Sequence, residues 1–166
     1  TSVCASFAHL ARNKVVCDLD VDAPDLHILL DPAPRRVEAF RSGNEAVIDE
    51  ASCRRCGRCF ELCRFGAVIR AGDEYRIDPA RCEGCGVCHA LCPAGAVAFP
   101  ERRCGEWYVS DTRFGPMVHA QLFPGQENSG RLVSLLKREA RALAGELGLD
   151  TIVCDGSPGV GCPVIS

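Results

Sequence analysis

Apolar and polar positions along this chain follow two rhythms, one helical and one strand-like. Near the N-terminus Val3, Phe7, Leu10 and Ala11 recur at roughly helical spacing, which predicts a first helix closed at Lys14. Val15, Val16, Cys17 and Leu19 then form a short apolar strand that runs into an acidic loop from Asp18 to Asp25. The brief run Leu26–Leu30 follows, and Asp31-Pro32-Ala33-Pro34 breaks it. Further along, Glu106–Thr112 and Met117–Leu122 read as strands around Phe114-Gly115-Pro116. A long amphipathic helix is expected from about Gly130 to Leu147, with Leu132, Leu135, Leu136, Leu143 and Leu147 on its inner side. Ser129 suits its N-cap and Gly148 its C-terminus. Thr151–Cys154 is another buried strand, ending at Asp155-Gly156 and a Gly/Pro-rich loop.

The stretch between these elements has a different texture. From about Glu50 to Pro100 it carries an internal repeat, Cys59-Phe60-Glu61-Leu62-Cys63 being echoed by Cys88-His89-Ala90-Leu91-Cys92. Between the halves, Ala71-Gly72-Asp73-Glu74 reads as a turn joining strands Ala67–Arg70 and Tyr75–Asp78. The order helix, strand, insert, hairpin, helix, strand predicts an α/β fold with a parallel sheet, interrupted by an α+β insert. The expected boundaries are residues 1–49, 50–100 and 101–166.

The insert holds the strongest chemical signal. Cys53, Cys56, Cys59 and Cys63 form one C-x2-C-x2-C-x3-C run, and Cys82, Cys85, Cys88 and Cys92, followed by Pro93, form a second. This spacing is the known ligand pattern of bacterial ferredoxins with two [4Fe–4S] clusters, in which the fourth cysteine of each run ligates the other cluster. The expected ligand sets are therefore Cys53, Cys56, Cys59 and Cys92 for one cluster, and Cys82, Cys85, Cys88 and Cys63 for the other. Zinc is the competing metal, but zinc ribbons use paired C-x2-C and only four thiolates per site. Arg64 stands where Pro often follows the first run, and a cation there is expected to raise the potential of the neighbouring cluster modestly.

Composition narrows the remaining classes. A net charge of −3 with no basic stripe gives no sign of nucleic-acid binding, and no apolar run is long enough to span a membrane. Eight of the 13 cysteines lie in cluster spacing, which argues for reduced thiolates and a cytoplasmic setting over a secreted disulfide scaffold. The start of the chain shows no secretory leader, and the absence of an initiator Met suggests a piece of a longer protein. Cys4, Cys17 and Cys154 are expected to pack as small hydrophobes, while Cys104 and Cys162 fall in loops and stay open to reactivity. His119 reads as a hydrogen-bonded structural residue and His89 as exposed; Trp107, Tyr108 and Phe114 are expected to pack the hairpin.

Carboxylates cluster where strands end. Asp18 and Asp20 follow strand Val15–Cys17, and Asp155 follows strand Ile152–Cys154. In open parallel sheets ligands bind at the C-terminal strand edge, where carboxylates hold Mg²⁺ through water or orient an attacking water. The plain alternative is that these acidic residues only cap strands and enter loops.

Taken together, Asp18-Leu19-Asp20, Asp22 to His27, Gly115 to Ala120, Glu127 to Gly130 and the stretch Asp155 to Ile165 resemble one group. It is the MinD/ParA-type P-loop ATPases with an inserted two-cluster ferredoxin domain, relatives of the Mrp/NBP-type iron–sulfur proteins and of nitrogenase iron protein. The resemblance covers essentially the whole chain and implies a partial P-loop NTPase fold. It also implies that Thr1 and Ser2 end a deviant Walker A loop, with Thr1 a Mg²⁺ ligand and Ser2 a phosphate contact. Asp18 and Asp20 would match the acidic pair near the γ-phosphate, Asp20 serving the attacking water, and Asp155 the Walker B-like aspartate. The lysines and glycines of the loop are absent from these 166 residues, so ATP hydrolysis is expected of the intact protein and not of this stretch alone.

The resulting expectation is a cytoplasmic protein in which electron transfer through two [4Fe–4S] clusters is coupled to ATP and Mg²⁺ in the intact molecule. Its partner would be a redox protein or an iron–sulfur acceptor, and a homodimer is compatible with that reading. The alternatives are a cluster carrier or assembly ATPase, and a redox-regulated partitioning-type ATPase.

Overall fold

A computed structural model describes residues 1–126 and 129–157. In chain order the elements are α1 (Ser2–Leu10), β1 (Lys14–Asp18), α2 (Leu26–Leu30), β2 (Ala33–Asn44), β3 (Val47–Ile48), α3 (Arg58–Leu62) and β4 (Val68–Ala71). They continue with β5 (Glu74–Ile77), α4 (Val87–Ala90), β6 (Val97–Ala98), β7 (Glu101–Thr112), β8 (Gly115–Leu122), α5 (Ser129–Leu147) and β9 (Thr151–Asp155). They divide into two units, one from Thr1–Phe40 with Arg103–Ser166 and the other Arg41–Arg102.

The first unit is built on a five-stranded sheet in the order β2-β7-β8-β1-β9. Every residue of β1 is buried, because helices cover both faces of this central strand. Alternation sorts its side chains. Val15 and Cys17 join Val109, Val118 and Ala120 beneath Leu132, Val133, Leu136 and Ala140 of α5. Val16 and Met117 point the other way, against Cys4 and Ala8 of α1 and Leu26 and Leu30 of α2.

The sheet is mixed, which corrects the expectation of a parallel one. β1 runs parallel to both β8 and β9, but β7 and β8 are antiparallel, with Thr112 opposite Gly115 across a two-residue turn. A connection that short can only reverse the chain. Thr112 ties the turn by donating from Oγ1 to the Gly115 carbonyl at 2.7 Å and accepting the Phe114 N–H at 3.1 Å.

Other local readings also shift. α1 exists where helical spacing placed it, yet its buried stripe is Cys4 and Ala8, while Val3, Phe7 and Leu10 are exposed at 69%, 59% and 73%. Small residues let the helix lie close to the sheet. Lys14 opens β1 instead of closing α1. β2 has no counterpart in the sequence reading, because it is an edge strand with mostly polar, exposed residues. Ser129 is the first helical residue of α5 and not its N-cap, which falls outside the described residues. At the other end Gly148 adopts φ +63°, and the Leu149 N–H reaches the Ala144 carbonyl at 2.8 Å, closing α5 with a Schellman-type cap. The Leu135 and Leu143 side chains pack at the edge of the core, whereas Leu147 is exposed.

The second unit has two small sheets, β3 paired with β6 and the hairpin β4–β5, together with the short helices α3 and α4. Its apolar interior is slight: Ala46, Ala67, Val68, Ala96 and Val97 are its buried hydrophobic residues. A domain with so little core needs a metal or a crosslink to be stable.

Candidate functional sites

The repeat in the second unit extends to the backbone. Gly57 and Gly86 each precede a short helix in the left-handed region, at φ +77° and +72°. Gly66 and Gly95 share φ +63°, and Arg55 at φ +56° corresponds to Gly84 at +63°. Gly84 admits no side chain, since a Cβ there would lie 2.5 Å from the Asn44 carbonyl oxygen. These turns bend each C-x2-C-x2-C run into a loop whose thiols point to a common side.

Two cavities result. One is lined by Cys53, Cys56, Cys59 and Cys92, with Ile48, Ala96 and Val97 forming its apolar wall. The other is lined by Cys63, Cys82, Cys85 and Cys88, with Ala67, Val68 and Ile77 around them. Each therefore gathers three cysteines of one ladder and the fourth of the other. Among the described residues no three His, Cys, Asp or Glu side chains converge as they would around a single ion. Thiols spread around a cavity suit the separated corners of an iron–sulfur cubane better than one zinc ion. The donor set and the apolar walls fit [4Fe–4S] clusters, which would be held by these eight thiolates.

Electrostatics around the thiols are uneven. Burial pushes the Cys59 and Cys88 thiols up. Burial opposes ionisation of Cys63, but the surrounding backbone N–H groups of Val68, Phe65, Ala67 and Gly66 favour its thiolate and bring it below the ordinary thiol value. The Arg55 N–H likewise donates to Cys53 Sγ at 3.4 Å. Such donors favour thiolate over thiol, as a cluster ligand requires. His89 is exposed as expected, with Nδ1 2.5 Å from the Val97 carbonyl oxygen and its ring stacked on Phe99.

A second cluster of groups lies in the first unit. Asp18 and Asp155 are register partners at the ends of parallel strands β1 and β9, and both are buried. Asp18 Oδ1 accepts the Asp20 N–H at 3.1 Å, while Asp18 Oδ2 and Asp155 Oδ2 are buried with no partner among the described residues. Burial, with a contribution from the charge of Asp155, pushes the Asp18 carboxyl up to about 7. The Thr1 backbone nitrogen lies 3.4 Å from Asp155 Oδ1, at the N-terminus of α1. The structure thus gathers Thr1, Asp18, Asp20 and Asp155, whereas Ser2 is exposed and its carbonyl accepts the Ser6 hydroxyl at 3.0 Å. Two unpartnered buried carboxylate oxygens side by side are a donor set that a hydrated divalent cation would satisfy.

The remaining candidates separate cleanly. His119 is buried, with Nε2 2.8 Å from Ser110 Oγ and its ring stacked on Tyr108 at 4.8 Å; burial first, then His27, lowers it to about 4. Trp107 belongs to the core, and the Arg36 guanidinium lies over its ring at 4.6 Å. Cys104 is in β7 and fully buried, not in a reactive loop. Cys4 and Cys17 are buried as expected, but Cys154 is exposed, since β9 is the last strand of the described sheet. Cys162 lies outside the described residues.

Comparison with known proteins agrees with the geometry of the second unit. A 4Fe–4S binding domain model matches the chain twice, at residues 46–69 and 75–98, which take in the two cysteine ladders. The chain is also similar to an uncharacterized protein of Methanocaldococcus jannaschii, 35% identical over 170 positions that cover the whole of this chain and 58% of that protein. It therefore spans less than two thirds of that relative's length. Among the described residues no helix is long and apolar enough to cross a membrane. With two matched repeats and eight cysteines gathered around two cavities, the chain is an iron–sulfur protein carrying two 4Fe–4S binding sites of the ferredoxin type.

Proposed function

We propose that this chain is the ferredoxin-bearing part of a MinD/ParA-type ATPase, in which electron transfer through two [4Fe–4S] clusters is linked to nucleotide state. The observation that carries the electron-transfer half is the exchange of fourth cysteines, Cys92 to the first cavity and Cys63 to the second. Ligands drawn from both ladders bind the two halves into one piece around the clusters, which suits retained redox centres over clusters released to an acceptor. When bound, each cluster supplies a site that takes up or gives away one electron. The protein's own part is to hold eight thiolates, donate N–H groups to sulfur and keep apolar walls against the site.

The nucleotide half is supported by Asp18 and Asp155. Carboxylates at the C-terminal ends of adjacent parallel strands, next to the start of a helix, occupy the place where such folds bind phosphates and their cation. Asp18, Asp155 and the Thr1 hydroxyl would hold hydrated Mg²⁺, and Asp20 would orient water.

Two measurements test the two halves. Anaerobically reconstituted protein should be reduced and reoxidised repeatedly with its iron retained; rapid loss of iron to an apo acceptor would favour the carrier reading instead. In a protein that includes the residues preceding Thr1, Mg²⁺–ATP binding should disappear in Asp155→Asn, and full binding by that variant would remove the ATPase reading.

A further inference from the structure

Charge is distributed unequally around the two cavities. Arg54 and Arg58 line the first, while Glu83 lines the second. Arg55 is drawn to Glu74 at 4.0 Å, but neither Arg54 nor Arg58 has an ion-pair partner among the described residues. Both are exposed, as is Cys56 between them in sequence. Beside the second cavity Arg81, which precedes Cys82, pairs with Asp78 at 3.3 Å.

We propose that the rim formed by Arg54 and Arg58 around Cys56 is the docking surface for an acidic one-electron carrier protein, which exchanges electrons with the first cluster. The proposal rests on the electron-transfer reading above. Unpaired guanidinium groups on a protein of net negative charge steer an anionic partner to one patch. Arginine suits the role because its fork matches carboxylates in two-point contacts. In the transfer one electron leaves the donor's cofactor and enters the cluster, with no bond made or broken and no proton required.

Stopped-flow reduction of the holoprotein tests this, with a reduced acidic flavodoxin as donor and the methyl viologen radical cation as a small-molecule control. In low salt, Arg54→Glu with Arg58→Glu should slow the flavodoxin reaction about tenfold, and salt should bring the wild-type rate down towards that of the variant. The viologen rate should not fall, and the control Glu146→Lys, at an exposed position of α5, should leave the flavodoxin rate within about twofold. If the double variant loses iron, Arg54→Gln with Arg58→Gln should still slow the flavodoxin reaction about threefold. A flavodoxin rate indifferent to salt and to both arginines would overturn the proposal. Failure of viologen itself to reduce the clusters would instead defeat the electron-transfer reading.

Discussion

Cys92 lines the same cavity as Cys56, although the two belong to different ladders. Crossing of this kind makes each cluster depend on both halves of the repeat. Cys92→Ala is therefore expected to damage the cluster of the first ladder, and Cys63→Ala that of the second. Each variant should lose about half of its iron and sulfide, or convert one cluster to a three-iron form visible by electron paramagnetic resonance. The assignment fails if Cys92→Ala leaves Cys82, Cys85 and Cys88 without metal while the first site stays intact.

Removing iron should unfold the second unit selectively. Its buried hydrophobic residues are few and small, so most of its order depends on the metal. After chelation, amide protection should vanish at Val68 and Val97 and persist at Val15, Val16, Leu132 and Leu136. Equal protection of both groups in apo protein would show that the unit folds without clusters.

Asp18 gives a pH dependence of definite sign. Its folded pKa lies near 7, above the ordinary 3.8, so the folded state holds the proton more tightly than the unfolded chain. Stability from this group is full below 3.8, declines as pH rises to about 7 and changes little beyond that. Asp18→Asn should thus stabilise the metal-free protein at pH 8 by on the order of 2 kcal/mol, with the gain vanishing near pH 4. Urea denaturation at the two pH values measures it, and a gain confined to pH 4 would contradict it.

His119 acts in the opposite direction. Burial lowers it from 6.5 to about 4, so the unfolded state binds the proton more readily across that interval. The contribution is present above 6.5 and is lost as pH falls to about 4. His119→Gln, which keeps a partner for Ser110, should flatten that acid limb by about 1–2 kcal/mol between pH 7 and 4. An unchanged acid limb would mean that the imidazole is protonated in place.

Much of this molecule is legible in its sequence, and the exceptions share a cause. Helix α5 was readable because its apolar positions repeat at 3.6-residue spacing over five turns, and the cysteine ladders because cluster ligation imposes a rigid interval. β2 was not, since an edge strand with exposed Arg35, Arg36, Glu38 and Arg41 has no pattern to betray it. Nor could spacing alone say which side of α1 is buried, because Cys4 and Ala8 are inconspicuous beside Val3 and Phe7.

The chain order by itself pointed to the cofactor chemistry, since a C-x2-C-x2-C-x3-C run present twice matches cubane ligation and exceeds what a zinc site needs. Only tertiary structure decided which distant groups become neighbours. Strand pairing puts Asp18 beside Asp155 and the pseudo-symmetric turns carry Cys63 and Cys92 across to the opposite cavities. The physical reason is that local spacing controls backbone conformation over a few residues. Burial, desolvation and unpartnered polar atoms arise between segments that are remote in sequence, and they exist only once the sheet has formed.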